Sequence, residues 1–233
     1  MRYMSVLAAT AIFLTAGSAN ATLIPLGPDS LSGQGVGSVD TVLTIQATGT
    51  ESGCVGVVAG AATTGSTACP AGFAGGDETA INEPHSATAL SLTDFADLRI
   101  LFNPSEPQTA AGESITIDNL ALTLWDPTPA VPGTELLGAF LIAGPVPFPT
   151  TNPGLGNAGF FFGLDALQAT NANLLLAAFP NLFLGLAATA SDAAGGPETF
   201  SFGVVGAVPE PMTLTLLGFG LAGLGWLSLK RSI

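Results

Sequence analysis

Through the middle of the chain, apolar and polar residues alternate with a period of two. "VDTVLTIQATG" sets Val39, Thr41, Leu43 and Ile45 on one face, and "DLRILFNP" sets Leu98, Ile100 and Phe102 opposite Arg99. Such alternation predicts strands with one face in a core. "ESITIDNLALTLWDPTP" alternates too, but its apolar positions are odd at Ile115 and Ile117 and even at Leu120, Leu122 and Leu124. The change of phase predicts a bulge or bend at Asp118-Asn119. Pro127, Pro129 and Pro132 then end the strand. "ELLGAFLIAG", "GFFFGL", "LFLGLAATAS" and "ETFSFGVV" read as further strands, with turn chemistry in "DAAGGP" between the last two.

One segment has helical spacing instead. In "LDALQATNANLLLAAFP", Asp165 stands three residues before Gln168, the separation of a reciprocal helix cap, and Leu167, Leu174, Leu175 and Ala178 are expected to form the packed stripe. Pro180 stops it. The Gly- and Ala-rich stretch 47–80 has little periodicity and reads as loop. About eight to ten short strands, Gly/Pro turns and one short helix predict a mainly β protein, an antiparallel β-sandwich of jelly-roll type. The length suits one domain, residues 22–207.

Both ends depart from this pattern. "MRYM" is cationic, "SVLAATAIFLTAG" is apolar but short, and Ala19-Asn20-Ala21 has the small residues that signal peptidase requires, so residues 1–21 read as a signal peptide cut before Thr22. Residues 212–229 carry no charge. As a helix they would reach about 27 Å, enough to cross a hydrocarbon core. Lys230 and Arg231 follow, and the positive-inside bias keeps them in the cytoplasm with the body outside. Val208-Pro209-Glu210-Pro211 then falls at the outer boundary, where its prolines deny pairing to helix or sheet and keep it extended and accessible.

Those parts in that order (Val208-Pro209-Glu210-Pro211, a Gly-rich apolar span, the basic pair) resemble the PEP-CTERM sorting signal over residues 208–233. The resemblance implies processing by a membrane-embedded exosortase, in a bacterium that has an outer membrane and makes exopolysaccharide, which becomes an implied partner. It covers the tail alone and carries no chemistry for the body.

Charge and scarce residue types narrow the body's options. Lys and Arg number 4 against 17 acids, and with Arg2, Lys230 and Arg231 at the ends, Arg99 is the body's one basic side chain. Such a surface repels polyanions, so nucleic acid is not an expected partner. Cys54 and Cys69 are the only cysteines. In an exported chain they read as a disulfide, and their spacing, with no histidine nearby, sets aside a redox or zinc site.

His85 is the only histidine, and the body has no lysine. A secreted hydrolase would have to use His85 with Ser86, Asp94 or Asp97, or a carboxylate pair such as Asp77-Glu78 or Asp94 with Asp97. Nothing in their spacing joins them, and the expectation is a protein that is not an enzyme. Asp94, Asp97, Asp118 and Asp126, with Asn103, Glu106 and Asn119, offer hard oxygen ligands near strand ends. They would suit calcium if the turns bring them together, and otherwise are solvated turn residues. No other cofactor is expected. A carbohydrate-binding module would need an aromatic platform, and Trp125 is the one indole left in the body. The sequence thus reads as an exported envelope or matrix protein with a structural or binding role. A carbohydrate- or calcium-binding surface module is the first alternative and a secreted hydrolase the second.

Overall fold

Period-two alternation becomes two antiparallel sheets in the computed structural model, which describes residues 22–28, 41–79, 82–104, 114–131, 133–149 and 159–205. The predicted signal peptide with Ala19 and Ala21, the motif from Val208 to Pro211, the apolar segment 212–229, Lys230, Arg231 and Glu106 lie outside the described residues. The strands are β1 Leu23–Pro28, β2 Thr41–Ile45, β3 Thr48–Val58, β4 Ala61–Thr64, β5 His85–Ser86 and β6 Leu98–Asn103. They continue as β7 Ser114–Trp125, β8 Leu136–Leu141, β9 Val146–Pro149 and β10 Phe160–Leu164; then come helix α1 Ala166–Ala178, β11 Phe183–Ala194 and β12 Glu198–Val204.

One sheet runs β1-β10-β6-β12-β2 and the other β4-β3-β11-β7-β8, with β5 on β11 and β9 on β7. Eight of these strands form a nested series: β2 pairs β12, β3 pairs β11, β6 pairs β10 and β7 pairs β8, all antiparallel. That is a single long hairpin rolled up so that successive strands change sheets, which is the jelly roll. The fold class read from the sequence is the fold observed.

The core lies between the sheets. Leu43, Ile45, Ile100, Phe102, Phe162 and Phe200 of the first sheet meet Val55, Leu120, Leu122, Leu124, Leu184 and Leu186 of the second. Phe148 of β9 ties the two together, its ring 5.2 Å from Phe102 and 4.5 Å from Phe160. The expected phase change in β7 is a bulge. Thr189 of β11 stands opposite Asn119 and Ala190 opposite Ile117, leaving Asp118 unmatched, and Asp118 accepts a hydrogen bond from the Ser191 hydroxyl at 3.1 Å. A second bulge, at Ser191–Asp192 of β11 against β3, places Asp192 at φ 64.

Two expectations need correction. The stretch 47–80 is not all loop, since it supplies β3, a long strand at the heart of the second sheet, together with β4. Its periodicity is hidden because its outward positions include Cys54 and Gly56 rather than polar residues. Gly56 is required there: a Cβ would fall 2.4 Å from the Trp125 indole. The stripe of α1 also differs. Gln168, Ala169, Ala172 and Leu175 are buried, whereas Leu167, Leu174 and Ala178 face outward. Alanines allow the helix axis to come close to the sandwich, and the leucines are left on the far side.

The cap of α1 forms in half. Asp165 accepts from the backbone N–H of Gln168 at 2.7 Å, but the Gln168 amide donates to the carbonyl of Leu141 at 3.1 Å instead of reaching back. Asp165 also accepts from the backbone N–H of Thr22, which fastens the start of β1 to the helix. Burial opposes ionisation of Asp165, yet the N–H groups of Gln168, Thr22 and Leu167 outweigh it and hold the pKa below its ordinary value. A depressed pKa stabilises the fold above the unfolded value, and that contribution is lost as pH falls through the folded one. Asp165→Ala should therefore cost about 1 kcal/mol at neutral pH, and its gap from the native protein should close below about pH 4. Urea unfolding at both pH values checks this.

Candidate functional site

The outward face of the second sheet is covered by the chain's own segment 65–79. After β4 a short turn, Ser66–Ala68, drops Ala68 onto Cys54, Ala121 and Ala187, with Phe73 packed beside them. The predicted disulfide is present there. Cys54 of β3 and Cys69 at the end of the turn are bonded, with Cα atoms 5.1 Å apart and a sequence separation of 15.

Farther along, the segment acts as an added strand across both sheets. Asp77 gives its N–H to the Ser52 carbonyl at 3.1 Å and accepts on its own carbonyl from Gln46 at 3.0 Å; Thr79 donates to Thr44 at 3.1 Å. Side chains extend the ladder. Asp77 Oδ2 accepts from the Ser52 N–H at 2.8 Å, Glu78 Oε1 from Cys54 at 2.7 Å, and Asn82 Oδ1 from Thr44 at 2.7 Å. Edge strands invite pairing with other chains, and these bonds occupy edge groups of β2 and of the first half of β3.

The candidate catalytic residues are dispersed. His85 is half-buried on β5, against the start of β11, with its ring edge-on to Phe202 at 6.3 Å. Its Nε2 has no hydrogen-bond partner among the described residues. Ser86 Oγ accepts from the Ala89 N–H at 3.0 Å. Asp94 caps the turn Phe95–Asp97 by accepting from Ala96 at 2.8 Å, and it accepts from the Asn173 amide of α1 at 2.8 Å. These bonds, that of Asn173 first, lower the Asp94 pKa. The Asp77-Glu78 pair is committed to β3, as described above.

The candidate calcium ligands do not converge either. Asp94 and Asp97 flank one turn, whereas Asp118 and Asp126 mark the two ends of the regular half of β7, about 26 Å apart at strand rise. Asp126 Oδ1 accepts from Thr128 N at 2.9 Å. Among the described residues no group of three or more His, Cys, Asp or Glu side chains could hold a metal ion. Trp125 is buried, with its indole N–H donating to Thr123 at 2.8 Å, and no Phe or Trp among the described residues is fully exposed.

What remains is the chain's exit. β12 ends at Val204 opposite Leu98, and Val205 donates to the Asp97 carbonyl at 2.9 Å. Four residues later the Pro209-Glu210-Pro211 element begins. Among the described residues no helix is long and apolar enough to cross a membrane. The domain is thus a jelly roll whose last described strand ends shortly before that element. The family model of the PEP-CTERM protein-sorting motif matches residues 207–231, from just before Val208 through the basic pair. No curated protein and no solved structure matches the chain.

Proposed function

We propose that this protein is exported across the inner membrane, held there by its tail, and then processed by an exosortase that delivers the jelly roll to the cell surface or extracellular matrix. The single observation that carries the reading is the sorting motif at residues 207–231. In it, the Pro209-Glu210-Pro211 element is recognised at the outer face while the apolar segment holds the precursor in the bilayer. The delivered body has a structural or binding role, with exopolysaccharide as the partner the tail implies. Support for a non-catalytic body comes from how its reactive groups are engaged. Asp77 and Glu78 brace β3, and Asp94 caps a turn.

The test is the mass and cell fraction of the mature protein with and without the exosortase. Glu210→Ala should leave full-length precursor in the inner membrane, because the recognition element is lost and the anchor kept. Deletion of residues 212–233 should give a secreted but unsorted soluble domain, since β12 ends at Val204 and no described element needs the tail. A tail still attached in cells with the enzyme as in cells without it would replace this reading with a permanently anchored protein.

A further inference from the structure

The outward leucines of α1 share one end of the sandwich with the chain's exit. β10 and β12 are both antiparallel to β6, so their C-terminal ends, Leu164 and Val204, lie at the same end. α1 starts from Leu164 there and is fastened to the exit: the Phe95 N–H donates to Asn173 of α1 at 2.9 Å, and Asp97 of the same turn receives Val205. β11 begins after α1 with Phe183 paired to Trp125, so the loop between β7 and β8 emerges here too. On these elements stand Leu174 at 66 % exposure, Val131 at 60 %, Val205 at 52 %, Leu167 at 45 % and Leu136 at 39 %. They are five of the eight large apolar side chains that are exposed among the described residues.

Covalent reach supplies the occupant. From Val205 to Pro209 the backbone spans at most about 14 Å even when fully extended. If residues 212–229 cross the bilayer, as the proposed function requires, this end of the domain cannot leave the membrane surface before the tail is cut. We infer that in the uncut precursor the α1 end of the jelly roll lies on the outer leaflet, with Leu167, Leu174, Val131 and Val205 at the headgroup–acyl boundary. Individually such contacts are weak, but the tether makes docking intramolecular, so little affinity is needed. Asp94, Asp97, Asp126 and Asp165 are at the same end, and Arg99, the one Lys or Arg side chain among the described residues, already donates to the carbonyls of Ala96 and Leu98 at 2.8 Å. The surface that fits is therefore a zwitterionic one.

The experiment uses the full-length precursor in phosphatidylcholine vesicles, with the native disulfide oxidised and a fluorophore on one introduced cysteine: Leu174→Cys, Val131→Cys, Thr50→Cys at the opposite end, or Gly220→Cys in the tail. Lipids carrying a quencher near the headgroup should quench positions 174 and 131 at least about threefold more than position 50, and deep quenchers should reach position 220. Equal quenching at 174, 131 and 50 with 220 quenched overturns the docking and leaves the spanning tail intact. An unquenched 220 overturns the spanning tail itself. Adding anionic lipid should reduce quenching at 174, and an increase would overturn the zwitterionic assignment. Shielding of 174 that appears only when the exosortase is co-embedded would make the occupant a protein and overturn the lipid one.

Discussion

Gly185→Ala should lower the unfolding free energy of the domain by about 3 kcal/mol or more. Gly185 is the third residue of β11, beside Thr123 on one neighbour and next to the Leu186–Val55 pair on the other. A Cβ there would sit 2.1 Å from the Val55 carbonyl oxygen and 2.8 Å from Thr123 Oγ1. The first of these is backbone in the neighbouring strand, so relief requires β3 to move away from β11 and give up part of the ladder. Overpacking a core generally costs about 1–3 kcal/mol and more where backbone must shift, and here the upper end is expected. Thermal unfolding of the exported domain measures it. Gly203→Ala, which meets nothing within 4 Å, is the matched control and should be nearly silent. Equal stability of the two variants would contradict the packing described.

Removing the disulfide should have the next largest effect. The bridge closes a loop with a sequence separation of 15 residues. By chain entropy such a loop contributes about 3 kcal/mol, and Cys54→Ala with Cys69→Ala should cost on that order. The loss should be local first. With Cys69 released, segment 65–79 keeps its hydrogen bonds to β2 and β3 but loses its covalent tie, so the amides of Ser52 and Cys54 should exchange faster while those in the middle of β7 stay protected. Native protein from the exported fraction should show no titratable thiol. Freely reacting thiols there would contradict the bridge.

The parts of the fold legible in the sequence are those where one face is apolar and the other is not. β6 and β7 declare themselves by strict alternation, and the Asp118 bulge is visible because a one-residue slip exchanges every face that follows it. β3 is silent because both its faces are buried, one under the sandwich core and one under segment 65–79, and glycines occupy it where Trp125 and Ile45 come close. β1 and β9 are masked by Pro25, Pro28, Pro147 and Pro149, which the outer strands of a sheet tolerate because one row of their N–H groups needs no partner. The helix stripe misleads for a related reason: hydrophobicity points to leucines, but close approach selects Ala169 and Ala172.

The candidate site divides in the same way. The tail is written in local order and charge, so it can be read directly. The roles of Asp77 and Glu78 depend on Ser52 and Cys54, 25 and 24 residues away, and no spacing rule connects them. Conversely, Asp118 and Asp126 are close in sequence but strand geometry draws them apart.

The hydrogen bond between Thr22 and Asp165 gives export a chemical signature. If the leader is removed before Thr22, the nitrogen held by Asp165 ceases to be an amide and becomes the chain's terminal ammonium. A neutral donor is thereby exchanged for a charged one against the same carboxylate, and such bonds are shorter and about twice as strong. The helix start would then be completed by the protease and only on the far side of the membrane. A leader still attached, or a cut a residue or two early, leaves the helix with a weaker anchor, so the folded state itself records where the polypeptide was trimmed.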